Sequence, residues 1–199
     1  MKQFKGYDSA RERANVTGST QLPVGGYVGK IQDVRYEDGA DGKSDRIILA
    51  FDITEGEFKD FFKKKFEEDQ SEDKKWKGRV TIYVPNDDGT ERDEWTQNAF
   101  AKWTAAFETS NEGYKWDWDE KKWKGLSVGL VYGETGTVID GKEVVYTECR
   151  YPASVSAIRD KKFRTPKFKA KNGYTGNTHA TGSEDFMKLP ETDATEIPF

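Results

Sequence analysis

The chain has 199 residues, with 32 basic against 36 acidic side chains, a net charge of −4 and a mean hydropathy of −0.92. That length suits one domain of about 150 to 170 residues plus a tail. A single cysteine, Cys149, excludes an internal disulfide, and a single histidine, His179, excludes His-based catalysis and ordinary zinc sites. No apolar run approaches the length of a membrane span, and Met1-Lys2-Gln3-Phe4-Lys5 has no hydrophobic signal region behind it, so a cytoplasmic protein is expected.

Residues 1–22 read as an N-terminal arm, with a short helix over 8–14 and a linker ending at Leu22-Pro23. A domain is expected over 23–163. Its first strand covers 25–36, where several glycines among β-formers predict a bend or bulge. Over 46–54, Ile47, Leu49, Phe51 and Ile53 alternate with other residues, which marks one buried face. A lysine-rich loop over 58–75 follows. In the third strand, 76–84, Val80, Ile82 and Val84 alternate with Arg79, Thr81 and Tyr83, so the face turned from the core is cationic and aromatic.

Residues 85–89 break that strand. Thr90, with Asp93 three residues on, reads as a helix N-cap. From there Trp95, Ala99, Trp103, Ala106 and Phe107 fall at helical spacing and predict a core stripe, which residues 110–113 end. Two further strands, 126–132 and 144–151, flank Asp140-Gly141, a strong hairpin signal; Cys149 reads as a small strand residue. The expected fold is mainly β: an OB-fold-like five-stranded barrel with one helix between strands 3 and 4.

The negative charge is unevenly placed. After Tyr174 come five acids and one base, leaving 31 of each in the rest of the chain, so the acidic balance does not exclude a nucleic-acid-binding body. The basic segment 164–171 precedes a stretch, 172–199, rich in Gly, Thr, Asn and acids; such a composition predicts a disordered acidic tail. Its tip, Glu196-Ile197-Pro198-Phe199, sets a ring beside the terminal carboxylate, and it resembles the C-terminal tails of bacterial single-stranded DNA-binding proteins. That resemblance implies a partner-binding role for Asp193, Glu196, Ile197, Pro198 and Phe199. Ala194 and Thr195 make this tip less acidic than the usual Asp-rich version, which implies weaker attraction for a partner.

A second resemblance rests on Lys5-Gly6-Tyr7-Asp8, 22–27, Trp76-Lys77-Gly78, 84–89, 93–96 and 113–119. Over residues 5–169 the chain resembles a family of phage and mobile-element proteins from Gram-positive bacteria that sit among replication and recombination genes. This resemblance implies fold and context and no catalytic residues. Together the two imply a phage single-stranded DNA-binding protein that recruits host or phage replication and recombination proteins through its tail.

Single-stranded DNA offers a polyanion and unstacked bases, so its binder needs spaced cations and flat rings. The candidates are Lys77, Arg79 and Tyr83 on the third strand, Lys63 and Lys65 with Phe61 in the loop before it, and Trp76 at its start. Trp76 shares the parity of Val80 and Ile82, so its ring faces either core or ligand. Trp116, Trp118 and Trp123 are expected to pack the loop after the helix. The other readings are a protein adaptor without DNA contact and a magnesium-dependent nuclease using Asp52, Glu57 and Lys59. Residues 136–142 have the Gly and Lys spacing of a phosphate loop, but Glu143 stands where a Ser or Thr must reach magnesium and no helix follows. No cofactor and no enzymatic activity are expected.

Overall fold

The computed structural model of the protein describes residues 21–40 and 44–176, so the expected helix over 8–14 and the tail tip lie outside the described residues. Alternation shapes the sheet as it predicts. In β2 (Arg46–Ile53), Ile47, Leu49, Phe51 and Ile53 are all buried. Antiparallel neighbours flank it, β1 (Gly25–Glu37) on one side and β3 (Arg79–Tyr83) on the other. The bend expected in β1 is a bulge: its register against β2 shifts between Ile31 and Asp33, leaving Gln32 as the extra residue.

β1 also pairs with β4 (Ser127–Ile139), which forms a long hairpin with β5 (Lys142–Ala153). The hairpin turn is Asp140-Gly141, and both residues have positive φ, 51° and 74°, as the tight turn between right-twisted strands requires. A two-residue β6 (Lys169–Ala170) pairs in parallel with β4 at Thr135 and Gly136. There β4 has outrun β1, whose pairing ends at Gly25 opposite Tyr132. The strand order is β3-β2-β1-β4-β5 with β6 beside β4, and the sheet is open.

The 58–75 segment is not the loop that its lysines suggest, because α1 (Phe61–Glu68) forms within it. Its preceding residue, Asp60, makes no side-chain cap. The cap comes from β2 instead, where the buried Asp52 carboxylate accepts from the N–H groups of Phe62 (2.9 Å) and Lys63 (3.1 Å). After β3, α2 (Glu91–Ser110) starts at Thr90, whose hydroxyl accepts from Asp93 N–H at 3.2 Å, as the capping pattern predicts. The buried stripe of α2 differs from the expected one. Phe100 and Asp93 join Trp103, Ala106 and Phe107, while Ala99 is exposed and Trp95 is 72 % exposed. At 3.6 residues per turn, Phe100, Trp103 and Phe107 lie within about 60° of one another, and Trp95 stands about 140° from Phe100. The buried face therefore centres on Phe100 and Phe107 and leaves Trp95 on the solvent side.

A 3₁₀ turn, Glu120–Trp123, follows α2 and delivers Trp123 into the main core. There the indole stacks on Phe107 with centroids 4.9 Å apart and lies 4.9 Å from Trp116. Each such ring stabilises by roughly 1.5 to 3 kcal/mol through burial alone. Trp118 behaves differently from its two neighbours. Its φ of 67° turns the backbone, and the side chain is 82 % exposed.

Val28, Val131, Val155 and Ile158 form a second, smaller core, roofed by α3 (Val155–Arg159). The chain then runs along β4 over its glycines. A Cβ added at Gly133 would lie 2.6 Å from Pro166, and one at Gly136 would lie 2.7 Å from Phe168 and 2.8 Å from Tyr174. Lys171 ties the segment down: its N–H donates to Gly136 O at 2.8 Å and its Nζ to Glu148 at 2.9 Å. Among the described residues no helix is long and apolar enough to cross a membrane.

The tightest approach in the fold is at Gly78, where an added Cβ would meet Phe51 O at 2.4 Å and the Phe62 ring at 2.6 Å. A backbone carbonyl inside a ladder cannot step aside. Gly78→Ala is expected to lower stability by about 1 to 3 kcal/mol, read as a lower urea midpoint at unchanged slope.

Candidate nucleic-acid interface

On β3 the register fixes which side chains share a face. Arg79, Thr81 and Tyr83 stand opposite Ala50, Ile48 and Arg46 of β2, and all three are exposed while Ile82 between them is buried. Tyr83, at 57 % exposure, therefore presents a ring to water from a rigid strand. Its cross-strand neighbour Arg46 is already engaged, with Nη2 2.7 Å and Nε 2.8 Å from Glu37 Oε2. Arg79 makes no ion pair with a carboxylate among the described residues.

The chain entering β3 adds the second part of the surface. Trp76 is half-buried, and its Nε1–H reaches both Phe51 O and Gly78 O at 3.0 Å, which fixes the indole against the sheet. The open question of its parity thus resolves to neither extreme. One side packs on the core, and Phe66 of α1 stands against it at 5.9 Å. Phe66 is 37 % exposed and carries Lys74 Nζ 5.8 Å from its ring centroid. Lys65 lies close enough to Lys77 that burial, and then the charge of Lys77, hold its ammonium below the ordinary lysine value. The nearby Glu68 carboxylate offsets this only in part.

Lys77, Arg79 and Tyr83 thus lie at alternate positions into and through β3, with Arg79 and Tyr83 on its exposed face, and α1 sets Lys65 near Lys77 and Phe66 against Trp76. Two expected residues separate from this group. Phe61, expected to face a ligand from a loop, is 5 % exposed in the main core, because α1 turns it inward beside Phe62. It contributes only the ring under Lys65 Nζ, 5.1 Å away. Lys63 is exposed on α1 about 160° from Lys65 around the helix. Sequence reasoning missed Phe66 and Lys74. The sequence signal was present, since Phe62 and Phe66 are four apart, but it acquires meaning only once residues 61–68 are a helix.

Compared with known proteins, the chain matches no family model and no curated protein. Asp193, Glu196, Ile197, Pro198 and Phe199, expected to bind a partner, lie outside the described residues.

The carboxylate considered for magnesium has other work. Besides capping α1, Asp52 Oδ1 accepts from Ile53 N–H at 2.9 Å, so three backbone donors occupy its two oxygens. Among the described residues no three His, Cys, Asp or Glu side chains converge to hold a metal ion. Asp52→Ala would strand buried donors and is expected to cost about 2 to 3 kcal/mol in urea unfolding. Glu57→Ala, at an exposed position, is expected to change stability by less than about 0.5 kcal/mol.

Proposed function

We propose that the protein binds single-stranded DNA without strong sequence preference, performs no catalysis, and recruits replication or recombination proteins of a phage or its bacterial host through its acidic C-terminal segment. The observation that carries this reading is the exposed face of β3, where Arg79 and Tyr83 stand in line after Lys77, with Lys65 and Phe66 of α1 beside Lys77 and Trp76. Cations along it meet phosphates, and Tyr83, with the exposed edge of Phe66, offers a face on which an unstacked base can rest. The strand path supports it too. The order β3-β2-β1-β4-β5, with a helix between β3 and β4, is the pairing order of an OB fold without the β3 to β5 pairing that would close its barrel, and in that fold the β2 and β3 face is the usual nucleic-acid platform.

Binding through phosphates releases counterions, so affinity for poly-dT should fall steeply between two salt concentrations and protein fluorescence should quench on titration. Tyr83→Ala is expected to weaken binding by about 1 to 3 kcal/mol without unfolding the protein. Arg79→Ala is expected to flatten the logarithmic salt slope by about 0.7. Wild-type titration curves for both variants would remove the surface from the proposal.

The C-terminal segment supplies the second activity. Phe199 fills a small apolar pocket on a partner, and Asp193 and Glu196 add attraction to a basic rim at longer range. Phe199→Ala keeps every charge, so it is expected to leave DNA affinity unchanged and to abolish capture of those partners from host lysate. Retention of every wild-type partner by that variant would reduce the segment to a passive end.

A further inference from the structure

Where β1 ends and β2 begins, a groove of about 680 Å³ opens between the sheet and α2. Tyr36, Ile47 and Val84 line it from the sheet side, Phe100 from the helix, and Trp116 and Trp118 from the loop beyond. Trp118 leaves most of its indole in water at the mouth, 5.9 Å from Trp116. The charged residues in the lining are Asp87 and Glu120, with no cation among them. The phenol of Tyr36 reports the same field. Its hydrogen bond to Asp45 first, then burial, then the charges of Asp45, Asp38 and Glu120 push it up to about 12.

An aromatic groove with an anionic rim suits an apolar segment flanked by cations. Two long segments of this chain lie outside the described residues, 1–20 and 177–199, and their chemistry separates them. The C-terminal one sets five acids against Lys188, which the rim repels. Residues 1–20 carry Lys2, Lys5, Arg11 and Arg13 against Asp8 and Glu12, and place two rings, Phe4 and Tyr7, beside the first two lysines. Reach is no obstacle. The body begins at Gln21, whose side chain accepts from Thr147 N–H on β5 at 2.9 Å. The 17 residues from Phe4 to Gln21 can span about 55 Å, whereas a domain of this size is roughly 40 Å across. Tethering keeps the local concentration of the arm in the millimolar range, so even a weak contact stays occupied.

We propose that this groove is the docking site of the chain's own N-terminal arm, with Phe4 and Tyr7 against Trp118 and Phe100 and with Lys2 and Lys5 facing Asp87 and Glu120. The assignment is independent of DNA binding, since the groove and the Tyr83 surface share no side chain.

A nitroxide attached at Lys121→Cys, exposed next to Glu120, tests it in the full-length protein by ¹⁵N NMR. Cys149 competes poorly for the label because burial pushes its thiol up to about 12. The amides of residues 4–7 are expected to lose at least half their intensity, and to recover it in the Lys2→Glu/Lys5→Glu variant. Three results would overturn the proposal. One is an arm whose amides are untouched by the label. Another is broadening of residues 193–199 in its place. The third is broadening that appears only when spin-labelled ¹⁴N protein is mixed with unlabelled ¹⁵N protein, which would place a second copy in the groove.

Discussion

Three segments of the chain meet on the backbone of Phe51 and Asp52, and the placement of Lys65, Phe66, Trp76 and Arg79 descends from that meeting. Phe51 N–H donates to Gly78 O, extending the β2 and β3 ladder by one bond, while Phe51 O accepts from the Trp76 indole. One residue on, the Asp52 carboxylate holds the first N–H groups of α1. Gly78 permits this because nothing larger fits between the Phe51 carbonyl and the Phe62 ring. A carboxylate accepting several backbone donors is among the stronger buried interactions, and its geometry is directional. It therefore fixes the helix, and with it Lys65 and Phe66, relative to Trp76 and Arg79.

Much of the scaffold was legible because its signals are local. Alternation in β2, the bulge in β1, the Thr90 cap and the Asp140-Gly141 turn each involve residues within a few positions of one another, and each appears as expected. α1 was not legible, since the acid that caps it lies ten residues upstream on a strand. Without that helix Phe61 looked like a loop ring free to stack and Phe66 had no assigned neighbour. Trp95 and Trp118 show the opposite failure. Both are large and apolar, so burial was the natural expectation, yet helix phase exposes one and a left-handed backbone exposes the other.

The basic segment is similarly recast by its packing. As sequence it is a run of cations; in the fold, Pro166 and Phe168 lie over Gly133 and Gly136, and Lys171 joins Glu148. Burial alone would raise the Glu148 carboxyl, but hydrogen bonds from Lys171 and Thr135 and the charges of Lys171 and Arg150 hold it below its ordinary value. A group depressed in this way contributes its stabilisation above its unfolded pKa and loses it as pH falls through the folded one. The segment is thus anchored at neutral pH and loosened in acid.

The two-residue length of β6 sets how far that anchoring extends. A strand so short, held by one ladder, the Lys171–Glu148 pair and contacts over two glycines, opens as a local unit at a free energy below that of the whole domain. When it opens, the hold on the segment retreats to Phe163, packed on the second core, and to Arg164, whose carbonyl accepts from the Tyr151 phenol. The 12 residues released, 165–176, add about 40 Å of contour, a reach governed by a pairing of two residues.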